Sequence, residues 1–237
     1  MTTGVILAGG RSTRFGDVDK AVAELAGVPM IRRVADRLTG TDDPIPPGSD
    51  RASGGDPVVD ELVISCRPDQ RDAIAAALDG VPLSVRWALD GVPLSVRWAL
   101  DAEPDLGPVA GIRNACRTAS AEYVAVTACD MPFVDPAFLD TLVGDAAGRE
   151  GAVPRLDDRW FQTTQAVYHA SAMATACDRA LARGERKLLA PLDELDRVVI
   201  DGETVRARTT ERTFTNVNTR EELAEAENVV IRAVGGR

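Results

Sequence analysis

Short apolar runs alternate with stretches of helical spacing along nearly the whole chain, and this constrains the fold more than any other feature. Val5–Ala8 starts β-branched and breaks at Gly9-Gly10, as a buried strand entering a glycine loop does. Met30–Leu38 has helical spacing, with Met30, Ile31, Val34 and Leu38 apolar. Glu61–Ser65 predicts a second strand, and Pro68–Leu78 a helix with proline in its first turn. Further helices are expected at Pro108–Ala119, Pro136–Val143, Ser171–Ala182 and Arg220–Val230, with strands at Tyr123–Ala128, Gln165–Tyr168 and Val198–Ile200. Strands separated by helices need crossover connections, which implies a mainly parallel sheet covered on both faces. The expected organisation is one domain over residues 1–237, with a Pro-, Gly-, Asp- and Ser-rich surface insertion at about 40–57. Ligands of such sheets sit at the carboxyl ends of the strands. Three polar clusters fall there: the glycine loop, Asp101 and Asp130.

Asp79–Leu89 is repeated without change as Asp90–Leu100. Each copy alternates apolar and polar residues, which is strand periodicity, and two copies are too few for a solenoid. A tandem duplication of one strand is the simplest account. Asp90-Gly91 is a hairpin-turn pair, so the spare copy either folds back as an edge strand or loops out.

Charge narrows the function classes. The chain has 27 basic and 37 acidic residues, a formal charge of −10, and only two lysines, Lys20 and Lys187. That balance argues against a sequence-independent nucleic-acid partner and against an anionic membrane surface. An Asp-rich, Lys-poor surface fits a halophilic protein, whose carboxylates stay hydrated in screening salt. No apolar run approaches the roughly 18 residues of a membrane span, and Met1–Ala8 lacks the basic start of a signal peptide. Cys66, Cys116, Cys129 and Cys177 form no CxxC pair, so free thiols in a cytoplasmic protein are expected rather than zinc or disulfides.

Two constellations carry chemistry. In the first, Leu7-Ala8-Gly9-Gly10 leads to Arg14, Gly16 and Asp19-Lys20. Glycines let backbone N–H groups approach a polyphosphate, and Arg14 and Lys20 can neutralise it. The spacing matches neither a P-loop nor a dinucleotide fingerprint. A plain strand-to-helix turn is the competing reading, weakened because Lys20 persists where lysine is otherwise almost avoided. The second is Asp101 and Asp130, two strand-end carboxylates able to hold Mg²⁺ against a nucleotide phosphate. Asp101 taken alone reads first as a structural cap or solvated charge, and Asp130, between a buried strand and Met131-Pro132-Phe133, is the better candidate. Asp101 is preferred to its duplicate Asp90 because it lies beside Gly107–Ile112. Gly107–Ile112 reads as a place for a flat base or as a helix start. In Asn216-Val217-Asn218-Thr219, a capping box between Thr219 and Glu222 explains part of the pattern. His169, the single histidine, has no triad or metal context.

Taken together these segments resemble a known family. Leu7–Gly16 with Asp19-Lys20 is similar to the signature of nucleotidyltransferases that activate phosphorylated metabolites. Gly107–Ile112, Cys129–Phe133, Gly184–Lys187 and Phe214–Leu223 are similar to the molybdenum cofactor guanylyltransferases. The resemblance implies a Rossmann-like three-layer α/β/α fold with a mainly parallel mixed sheet. It implies transfer of GMP from GTP to the phosphate of the molybdenum-molybdopterin cofactor, with Mg²⁺ as cofactor and possible transient contact with cofactor-handling proteins. By position it implies GTP contacts at Leu7, Ala8, Gly9, Gly10, Lys20, Ser65, Asp101 and Asp130, and a Mg²⁺ ligand at Asp130, assisted directly or through water by Asp101. Arg14, Lys20 and Asp130 become the catalytic set, with Asn216 and Asn218 toward the pterin. Ser65 stands where the family often has asparagine. The rivals are a cytidylyltransferase for the same cofactor, a guanylyltransferase for another phosphorylated metabolite, and a GTP-binding homologue without turnover.

Overall fold

The computed structural model describes residues 1–10, 15, 19–40, 58–79, 95–101, 107–156 and 160–235. Its strands are β1 (Thr2–Leu7), β2 (Glu24–Leu25), β3 (Val28–Pro29), β4 (Glu61–Cys66), β5 (Ser95–Leu100), β6 (Tyr123–Ala128), β7 (Gly151–Arg155), β8 (Ala166–His169) and β9 (Arg197–Asp201). Its helices are α1 (Met30–Leu38), α2 (Arg71–Leu78), α3 (Pro108–Thr118), α4 (Pro136–Ala146), α5 (Ala170–Ala182), α6 (Leu189–Leu192), α7 (Gly202–Arg208) and α8 (Arg220–Gly235).

One sheet carries seven strands in the order β5-β4-β1-β6-β8-β7-β9, and β2 and β3 form a separate hairpin. β5, β4, β1 and β6 run parallel, so their carboxyl ends share one edge. β8 is antiparallel to both β6 and β7, while β7 and β9 are parallel. The sheet is thus mixed and mainly parallel, as the alternation of elements predicts.

The core follows from the pleat, because successive residues of a strand face opposite sides. Ile6, Leu62, Ile64 and Ala125 join a cluster with α1, α2, α4 and α7. Their neighbours Val5, Val63, Val124 and Val126 join a second cluster with α3 and α5. Central strands covered on both faces have no polar side to show, which is why they read as continuous apolar runs. A third cluster packs Val217, Ala226 and Val230 against Leu25, Met30 and Phe133. It seats α8 against the β2–β3 hairpin and the turn that follows β6.

The second copy of the repeat forms β5, in register from Glu61↔Ser95 to Cys66↔Leu100. Residues 80–89 of the first copy, Asp90, residues 41–57 of the expected insertion, and Arg14 and Gly16 lie outside the described residues. Sequence reading missed β7 because it contains Pro154, which cannot donate to a ladder. β8 pairs only with Gly151 and Ala152; beyond them Gln162 N donates to Pro154 O at 2.8 Å, a bond that asks no N–H of the proline. The helix expected from Pro68 begins as a 3-10 turn, Pro68–Gln70, before α2. His169 caps α5, its Nδ1 accepting from the Ala172 N–H at 3.4 Å. Among the described residues no helix is long and apolar enough to cross a membrane.

Candidate functional site

The site lies on the edge where β1, β4, β5 and β6 end, and pairing continues past each strand. Ala8 N donates to Ser65 O at 2.7 Å, Asp101 N to Cys66 O at 3.0 Å, and Cys129 N to Leu7 O at 3.0 Å. The glycine loop, Asp101 and Asp130 are therefore held by the same ladder that builds the sheet.

On the β5 side the backbone is unusually close to a carboxylate. A Cβ at Gly9 would stand 2.8 Å from Asp101 Oδ2, and one at Gly111 would stand 3.0 Å from Ser65 Oγ and 3.8 Å from Asp101 Oδ2. Only residues without a side chain permit that approach. Asn114 Nδ2 donates to Asp101 Oδ1 at 3.3 Å, and the buried Ser65 Oγ donates to Gly111 O at 3.3 Å. Burial pushes the Asp101 carboxyl above its ordinary range, against the opposing pull of Asn114, Arg113 and Arg67. Gly107, at φ 76°, enters α3 in a conformation that suits glycine, and its Cβ would stand 3.2 Å from Arg186 O. The Gly184–Lys187 segment is thereby brought against the start of α3.

On the β6 side a charged centre forms. Asp19 caps the 3-10 turn Lys20–Val22, and its Oδ1 accepts from Ala21 N. That turn directs Lys20 Nζ to Asp130 Oδ2 at 2.6 Å and to Asn218 Oδ1 at 3.1 Å. Asp130 is buried, and among the described residues its Oδ1 has no hydrogen-bond partner. An unmatched buried carboxylate oxygen is costly and points to a cationic ligand. Val217 N donates to Asp130 O at 2.8 Å, which fixes Asn218 at the centre. The capping box is present: Glu222 Oε2 accepts from Thr219 N, and Glu222 N donates to Thr219 Oγ1.

The structure thus gathers the residues predicted from sequence into two adjoining groups. Gly9, Ser65, Asp101 and the Gly107–Ile112 segment form one. Lys20, Asp130 and Asn218 form the other. Asn216 is turned to its own backbone, with Nδ2 on Phe214 O at 3.5 Å. Among the described residues no three His, Cys, Asp or Glu side chains cluster as a metal site. Sequence reading missed Asn114, Arg67 and Gln70. The available signals were Asn114 one turn beyond Gly111 on α3, and Arg67 and Gln70 just past the carboxyl end of β4.

The pattern of the MobA-like NTP transferase domain matches residues 4–198. The probable molybdenum cofactor guanylyltransferase of Natronomonas pharaonis is 41% identical over 94% of this chain and 96% of its own length. The chain belongs to the molybdenum cofactor guanylyltransferase family. A second such relative, from Haloferax mediterranei, is 40% identical over 93% of this chain and 90% of its own. Among solved structures, molybdopterin-guanine dinucleotide biosynthesis protein A from Archaeoglobus fulgidus superposes with a TM-score of 0.68 at 27% identity, covering 97% of this chain and 98% of that one. A nucleotidyl transferase from Methanothermobacter thermautotroptrophicus shares the fold, with a TM-score of 0.65 at 18% identity over 98% of each chain. Family members thus align along nearly the whole chain, and every residue of the two groups except Asn218 lies within the 4–198 span of the family pattern.

Proposed function

We infer that this chain is a guanylyltransferase that moves GMP from GTP to the terminal phosphate of molybdenum-molybdopterin and releases pyrophosphate. The observation that carries the reading is the charged centre: one of only two lysines paired at 2.6 Å with a buried strand-end aspartate, beside a glycine loop. A phosphate oxygen of the acceptor attacks the α-phosphorus of GTP in line. A P–O bond forms, the α–β bridging P–O bond breaks, and pyrophosphate leaves with the electron pair. The attacking phosphate is already an anion, so no base and no covalent enzyme intermediate are required. Catalysis rests on positioning and on stabilising charge.

In this reading the N–H groups of Gly9 and Gly10 hold the GTP phosphates, and Lys20 offsets charge on the departing pyrophosphate. Arg14 is proposed to assist it. Leu7, Ala8, Ser65 and Asp101 line the nucleotide side. Asp101 Oδ2 lies where Gly9 and Gly111 leave room for nothing but backbone. A divalent ion, proposed as Mg²⁺, fits Asp130, whose Oδ1 is buried and, among the described residues, unpartnered. Asp130 would hold it, with Asp101 proposed to assist through water from the β5 side, and when bound it would offset negative charge on the phosphates. Asn218 is committed to Lys20, so its proposed role is to aim that ammonium; contact with the pterin is left to the loop residues around it.

Four free, buried cysteines support a reducing, cytoplasmic setting. The acidic surface and relatives from halophiles support function in high salt. The test is pyrophosphate release from GTP, CTP and ATP in the presence of molybdenum-molybdopterin, run across salt concentrations. Release with GTP alone is expected. Release with CTP instead would redirect the reading to a cytidylyltransferase, and GTP binding without release to a homologue that has lost turnover.

A further inference from the structure

The glycine loop is gripped from behind by two side chains that none of the roles above uses. Gln70 is 3% exposed, in the 3-10 turn that follows β4. Its Nε2 donates to Ala8 O at 3.0 Å and to Asp19 Oδ2 at 2.5 Å, while its Oε1 accepts from Arg67 N at 3.0 Å. Arg67 Nη1 donates to Gly10 O at 2.9 Å and to Gly9 O at 3.3 Å. Arg67 Nη2 also lies 3.8 Å from Asp19 Oδ2. Both amide protons of Gln70 are spent, one at each end of the segment between β1 and the Lys20 turn.

We propose that Gln70 and Arg67 are positioning residues that aim the phosphate-holding groups of this enzyme. The reasoning is geometric. In a planar trans peptide the C=O of one residue and the N–H of the next point in opposite directions. Holding the Ala8 and Gly9 carbonyls toward α2 therefore turns the N–H groups of Gly9 and Gly10 the other way. Glycine has no Cβ to restrict its torsions, so without such a grip these donors would wander. Gln70 has a second task. By holding Asp19, it steadies the cap of the turn whose first residue is Lys20, and so the ammonium paired with Asp130. Arg67 orients the loop donors; Gln70 orients the loop donors and the lysine together.

The proposal rests on the guanylyltransferase reading, and the two roles predict different kinetics. Arg67→Met should raise KM for GTP about tenfold, the loss of one or two hydrogen bonds, with kcat within about threefold. Gln70→Met, matched in volume, should raise KM similarly and also lower kcat about tenfold, because Lys20 loses its aim. Circular dichroism checks that each variant folds; if Gln70→Met does not, Arg67→Met carries the KM test. Backbone ¹⁵N order parameters are read in parallel on the wild-type and variant proteins without nucleotide. Those of Gly9 and Gly10 should fall in both variants while those of Val124–Thr127 stay unchanged. A folded variant with KM within twofold of wild type and unaltered order parameters overturns the proposal. Wild-type protein that releases no pyrophosphate would sink the assigned reaction instead, and the order parameters alone would then decide whether the grip exists.

Discussion

Removing either partner of the Lys20–Asp130 pair should have unequal effects on stability. Lys20→Met leaves Asp130 as a buried carboxylate with one oxygen already unpartnered and the other newly so. Losing one partner of a buried pair costs about 3–5 kcal/mol. The side chains of Lys20 and Asp130 retain 20% and 10% exposure, which places the cost at the lower end, about 3 kcal/mol. Asp130→Asn differs. The amide oxygen still accepts from the charged Lys20 ammonium, so an ion pair becomes an ion–dipole hydrogen bond. The cation left without a counter-charge is the more exposed partner, and the loss is about 1–2 kcal/mol. In part against this, the unpartnered charged oxygen is replaced by a neutral amide NH2, which is less costly to leave without a partner. The net change should lie within about 1 kcal/mol of wild type, while catalysis falls by orders of magnitude. Urea unfolding of both single variants and the double variant, with chelator and without nucleotide, measures the asymmetry. Equal destabilisation by the two substitutions, or a greater loss from Asp130→Asn, would refute the reasoning.

Three further outcomes are expected. Gly9→Ala places a Cβ 2.8 Å from Asp101 Oδ2, so Asp101 must swing and strain its 3.3 Å bond from Asn114; nucleotide binding by calorimetry should weaken about tenfold or more while the far-ultraviolet spectrum is unchanged. Asp101 has a raised carboxyl pKa from burial, so the folded state holds its proton more tightly than the unfolded state, whose carboxyl titrates at the ordinary 3.8. Stability should therefore fall as pH rises from about 3.8 through the folded pKa, and Asp101→Asn should abolish that slope in a melting series against pH. Deleting Asp79–Leu89 gives the same chain as deleting Asp90–Leu100 and leaves one copy to pair with β4; pyrophosphate release and the melting temperature of the shortened chain should match wild type, and a loss of activity would show that the duplication is needed.

Much of the molecule was legible before folding. β6 and α1 fall at their predicted residues, because a strand covered on both faces and a helix with one apolar face each leave a periodic record. The glycine loop, Lys20, Asp101 and Asp130 stood out because chemistry at a strand end needs rare residue types there. Less legible were elements whose local signal conflicts with their place. Pro154 disguises β7, and the β2–β3 hairpin turns through Ala26 at φ 49° and Gly27 at φ 73° without an Asn-Gly or Asp-Gly pair.

What the chain determined by itself, then, is the alternation that makes a parallel sheet, the edge on which the site must lie, and the residue types brought to it. Which of those residues meet was decided only in three dimensions. Asn218 reaches Lys20 across 198 residues of sequence, and Gln70 reaches Ala8 across 62. The physical reason is that a hydrogen bond spans about 3 Å and carries no trace in local periodicity. The negative surface and its exceptional lysine are written in the composition. That the lysine's partner is Asp130, with Asn218 beside it, is visible only once the segment before α8 is bonded to the backbone at the end of β6.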